Sequence, residues 1–128
     1  MREKAYWFVC QVLNLFEIII SYRKDHVVPD DVFATWVSWF HELGTSKRFE
    51  RFWIDEELWS HYKGELQQIL NLATGLARKR EEDFASVESS YDDELKAFHD
   101  QVATIMKDPS IKEHFDKRRA TQHVGAPQ

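Results

Sequence analysis

The sequence predicts an all-α fold, a compact bundle of five or six helices followed by a C-terminal tail, and three observations carry that reading. Its 128 residues include only 4 Gly and 3 Pro, too few turn formers for a many-stranded sandwich. The chain is 43% hydrophobic and 14% aromatic, too apolar to stay disordered. Its apolar residues recur at three- and four-residue spacing, the period of a helix face, and no segment alternates convincingly as a strand would. A chain of this size can bury roughly two-thirds of its unfolded surface around one core without metal or disulfide. Residues 1–119 therefore read as a single helical domain and 120–128 as a disordered tail.

The first helix is expected from about Glu3 to Lys24, since Ala5 to Tyr22 has no Gly or Pro and 14 of its 18 residues are apolar. Glu3, Cys10, Asn14, Glu17, Ser21 and Lys24 form one narrow polar stripe, while Phe8, Val12, Leu15, Phe16 and Ile19 cover much of the rest. A helix apolar over so much of its circumference is central in a bundle or lies against a membrane. Gln11, Asn14 and Glu17 interrupt the run and favour the central position.

Pro29 suits the first turn of a second helix, with Asp30 and Asp31 set favourably for its dipole and Gly44 as its end. Phe33, Trp36, Val37, Phe40 and Leu43 supply its inward face. Ser46 can cap a short third helix carrying Phe49, Phe52 and Trp53. Asp55, Glu56 and Glu57 read as the start of a long fourth helix that turns Leu58, Trp59, Tyr62, Leu66, Ile69, Leu70, Leu72, Ala73 and Leu76 inward. A fifth helix is expected from Ser89 or Ser90 to Lys107. Asp108 followed by Pro109 then caps a short sixth helix reaching about Arg119. Helices one, two and four should form the main bundle, braced by the aromatic third.

Charge narrows the partners. Residues 1–80 carry 11 basic and 11 acidic side chains, residues 81–100 carry 1 and 8, and residues 101–128 carry 5 and 3. With a net charge of -5, the chain lacks the clustered Lys and Arg that phosphate binding requires, so no nucleic acid is expected. Cys10 is the only cysteine, which excludes an intrachain disulfide, and the N-terminus shows no cleavable signal pattern. The expected setting is cytoplasmic, with room for peripheral membrane contact.

Several residue groups could carry chemistry. A carboxylate in the middle of an apolar helix needs a partner, so Asn14 and Glu17 are expected to form a buried polar network or ligand site with Arg48 or Arg51. Glu57, His61 and Glu65 fall at i, i+4 and i+8 of the expected fourth helix and would share a face. One histidine with two carboxylates lacks the spacing of helical metal sites, so these residues read as a solvated charged face. The other five histidines are scattered at loops, helix ends and the tail. Cys10, in an apolar helix, reads as a core thiol. No Gly-rich phosphate loop or nucleophile triad is present, and no cofactor is implied.

The aromatic density from Trp36 to Tyr62 exceeds what a bundle of this size can enclose alongside Trp7 and Phe8. Some aromatic surface should therefore be exposed for a partner, with Trp39, Phe49, Trp53 and Trp59 as the expected contacts. The preferred reading is a non-enzymatic helical interaction or scaffolding module that binds a protein partner or itself. A small-ligand or regulatory domain is the alternative, and a metal-dependent enzyme a third.

At Asn14-Leu15-Phe16-Glu17, followed by a second helix and by Arg51-Phe52-Trp53, the chain resembles a group of uncharacterised bacterial helical proteins with an Asn-Phe-Phe-Glu-like helix. The resemblance covers about residues 8 to 70. Members of that group often carry a membrane helix ahead of the motif, whereas here the motif helix opens the chain. The resemblance implies a helical fold and no particular activity.

Overall fold

The computed structural model describes residues 2–82 and 91–113. Most of them lie in five α-helices: α1 (Arg2–Lys24), α2 (Asp30–Gly44), the short α3 (Lys47–Glu50), α4 (Gly64–Glu82) and α5 (Tyr91–Met106). Residues 110–113 are also helical, and no described residue is in a strand. The fold is all-α, as its composition and periodicity predict. The expected start of the fifth helix at Ser89 or Ser90, the end of the sixth at Arg119 and the tail at 120–128 lie outside the described residues.

The hub is α2, which packs on α4, α5 and α1. Phe33, Ala34, Val37, Phe40, His41 and Gly44 form its buried face at the helical period. Pro29 precedes it in extended conformation, and Asp30 and Asp31 occupy its first turn. Its crossing with α4 is close because Gly44 has no side chain: a Cβ there would lie 2.3 Å from the Cβ of Ala73. Leu66, Ile69, Leu70, Ala73 and Ala77 complete α4's buried side, and Phe98, Val102 and Ala103 that of α5.

Between α2 and α4 the chain departs from expectation. Ser46 caps α3 as predicted, its Oγ accepting from the Phe49 N–H at 3.4 Å. The expected helix from Asp55 does not form. The backbone instead widens into a π turn at Arg51–Asp55, passes through left-handed Glu57 (φ 57°) and makes a 3-10 turn at Leu58–His61. Gly64, at φ 67°, then opens α4. Packing explains the break. Nine residues along one α-helix would put Trp53 and Tyr62 on opposite sides, yet both are core residues whose rings stack 6.0 Å apart. Phe49 also stacks on Trp53 at 5.4 Å, and Trp53 donates its indole N–H to Asn71 Oδ1 at 2.8 Å.

Candidate functional site

Two apolar faces run along α1 and point in nearly opposite directions. Val9, Leu13, Phe16 and Ile20 form the buried one, and Arg23 continues it at the same three- and four-residue spacing. Phe8, Leu15, Ile18 and Tyr22 form the other, with Trp7 at its edge, and all five are between 44% and 66% exposed. Only 22% of the most apolar stretch of α1 is buried, and the helix is long and apolar enough to cross a membrane. Trp36 of α2 meets buried Phe16 edge-on at 6.0 Å and exposed Trp39 at 5.0 Å, so Trp39 is reached from the inner face of α1.

The predicted site residues are redistributed. Asn14 and Glu17 are exposed rather than buried, because α1 turns its polar stripe to solvent. Arg48 and Arg51 are also exposed, and no hydrogen bond or ion pair joins them to Asn14 or Glu17 among the described residues. Of the four expected partner contacts, Trp39 and Trp59 are exposed, but Phe49 and Trp53 are fully enclosed by the stacking described above and offer no surface. The surplus aromatic area is on α1 instead of α3. Glu57, His61 and Glu65 share no helix face, since the first two precede the start of α4. Among the described residues no three His, Cys, Asp or Glu side chains gather as a metal site.

The buried polar network that the fold does contain is centred on Arg23. Its guanidinium donates to Asp108 Oδ2 at 2.7 Å, to Asp30 Oδ1 at 2.5 Å and to the Val28 carbonyl at 2.8 Å. The same cation lies 5.7 Å from the centre of the Phe33 ring. The hydrogen bonds it donates to Asp108 lead the causes that raise the Arg23 pKa above its usual value. Burial pushes the Asp108 carboxyl up, but hydrogen bonds and charge from Arg23 outweigh it and hold it below the usual carboxylate range. One residue thus ties together the end of α1, the loop after it, the start of α2 and the segment after α5.

Two histidines missed as core residues lie between α2 and α5. His41 Nε2 is 2.7 Å from Glu94 Oε2, and its ring meets Phe98 edge-on at 5.2 Å. His99 Nδ1 lies 3.0 Å from the Leu95 carbonyl. The signal was in the pattern: Arg23 falls on the buried stripe of α1, His41 on that of α2, and His99 beside Phe98.

An open groove of about 310 Å³ runs beside Glu17, between the end of α1 and the start of α4. Lys24 and Glu65 pair across it at 3.1 Å. The Glu65 carboxyl is held below its usual range by its own backbone N–H and then by Lys24. Nearby, burial, followed by the neighbouring Cys10 and Glu17, pushes the Tyr62 phenol up to about 12. Cys10 itself is half-buried.

Fold and surface together define a small helical bundle whose first helix presents an uncovered apolar face among the described residues. Compared with protein-family models, curated proteins and solved structures, the chain has no significant match.

Proposed function

We propose that this chain is a non-enzymatic helical interaction module that binds a protein partner through the outer face of α1. The supporting observation is the exposure of Trp7, Phe8, Leu15, Ile18 and Tyr22 along one side of a helix that is otherwise anchored in the core. Large rings and branched aliphatics in a contiguous exposed strip are what interface cores are made of, and a monomer gains nothing by leaving them in water. The single cysteine suits a reducing cytoplasmic compartment, and the apolarity of α1 makes a membrane surface the second place to look.

Light scattering of the full chain, with and without a mild non-ionic detergent, tests this reading. The wild-type protein should either associate or take up detergent. The double variant Leu15→Glu/Ile18→Glu should do neither while melting at nearly the wild-type temperature. A wild-type protein that is strictly monomeric and takes up no detergent sinks the proposal.

The groove beside Glu17 favours a second reading, a small charged ligand held by Glu17, Lys24, Lys63 and Glu65. It is the weaker of the two because Lys24 and Glu65 already neutralise one another.

A further inference from the structure

Resting on that reading of α1, we propose that its partner is a second copy of this chain, joined by antiparallel pairing of the two α1 helices about a twofold axis at Leu15. The spacing of the outer face comes first. From Lys4 it runs through Phe8, Gln11, Leu15, Ile18 and Tyr22 to Asp25 in steps of four and three, and Asp25 still donates its N–H to the Ser21 carbonyl in helical fashion. That is the seam of two helices packed along their length.

Charge then selects the partner and its direction. The seam begins on exposed Lys4 and ends on exposed Asp25. Antiparallel pairing sets Lys4 of each copy near Asp25 of the other, Phe8 near Tyr22, and Leu15 against its counterpart. Parallel pairing would set lysine on lysine and aspartate on aspartate. An isologous contact also closes on itself and leaves no seam open. An anionic bilayer fits less well, because the polar stripe bordering the seam on one side carries two acids, Glu3 and Glu17, against one base, Lys24, where a lipid surface wants clustered lysine or arginine.

Area sets the strength. With aromatic side chains worth 150–250 Å² each, the five exposed apolar residues present roughly 500 Å² per copy. A pair would cover about 1,000 Å², the lower edge of a specific interface. The dimer is therefore expected to be weak and to dissociate on dilution.

Sedimentation of the full chain across a hundredfold dilution should show monomer mass giving way to twice that mass. Leu15→Glu, which would bring two carboxylates face to face on the axis, should weaken the association at least tenfold with an unchanged circular-dichroism spectrum. The register is read separately in a Cys10→Ser background. Leu15→Cys should oxidise to a covalent dimer by itself, whereas Phe8→Cys and Tyr22→Cys should do so only when mixed. Self-linking of Phe8→Cys would overturn the antiparallel arrangement. A monomer at every concentration would overturn self-pairing. If that monomer binds neutral vesicles or detergent through α1, the interaction face survives with a different occupant; if it binds neither, both proposals fall.

Discussion

The first two helices are both rich in aromatic and aliphatic residues, yet the fold treats them differently. Helix α2 has its inner face covered: α1, α4 and α5 pack on it, and Phe33, Val37 and Phe40 are completely buried, while Val32 and Trp39 on its outer side are exposed. Helix α1 is held along one stripe and bare along another. The difference teaches that apolar content tells how much surface a helix could bury and not how much its neighbours cover. Three neighbours cover the inner face of α2, whereas α1 packs on α2 and α4 along one face and has its second apolar face left without a neighbour among the described residues.

The sharpest way to break this comparison is to truncate one leucine on each face of α1. Leu13→Ala removes a fully buried side chain and should cost about 2–5 kcal/mol. Leu15→Ala, only two residues away, should change the stability of the dilute protein by less than about 0.5 kcal/mol. Urea unfolding at low protein concentration measures both. Equal losses would mean that something covers the outer face even in the monomer.

Gly44→Ala probes the enclosed side of α2. The added methyl would sit 2.3 Å from the Ala73 Cβ, and neither backbone can yield without separating α2 from α4. Overpacking of this kind should cost about 1–3 kcal/mol, against the small gain in helix propensity that alanine brings elsewhere. A thermal melt at or above the wild-type temperature would show that the two helices are not in contact there.

Much of this was legible in the sequence. The spans of α1 and α2, the Ser46 cap and the inward faces of α2 and α4 follow from period and cap chemistry, which are local properties. The end of α3 and the start of α4 were not legible, because the break before Gly64 is imposed by Phe49, Trp53 and Tyr62 stacking across it. The misplaced polar network has the same origin. Glu17 was expected to be buried because its helix is apolar, but which side of that helix faces inward is decided by what packs on it. Arg23 lay on the correct stripe and was overlooked as an ordinary basic residue at a helix end.

Arg23 fastens α1 to α2, so its removal weakens the joint between the two helices. Arg23→Met should cost about 1–3 kcal/mol by stranding Asp108 and the Val28 carbonyl. The sign of the pH dependence follows from the depressed Asp108 carboxyl. Its contribution is fully present above the unfolded carboxylate pKa of about 3.9 and is lost as pH falls through the lower folded value. The melting-temperature gap between wild type and Asp108→Asn should accordingly hold steady near neutrality and narrow below about pH 4. A gap independent of pH would show that Asp108 acts by shape alone.

The smallest expected effect lies in the turn between the two helices. His26 sits at φ 62°, with its N–H bonded to the Arg23 carbonyl at 2.9 Å and the Val27 N–H bonded to the Tyr22 carbonyl at 2.9 Å. This pair of bonds closes the end of α1 around a left-handed residue, a position where glycine is favoured because a Cβ is strained. The end of α5 repeats it at Lys107, φ 55°, with Asp108 N–H bonded to the Ala103 carbonyl at 2.9 Å. His26→Gly should raise stability by about 0.5–1 kcal/mol, whereas His26→Val should lower it, because a β-branched side chain tolerates positive φ least. The order Gly above His above Val in denaturant midpoint would show that the turn joining the exposed helix to the enclosed one is held by backbone geometry, and the reverse order would assign a packing role to the imidazole.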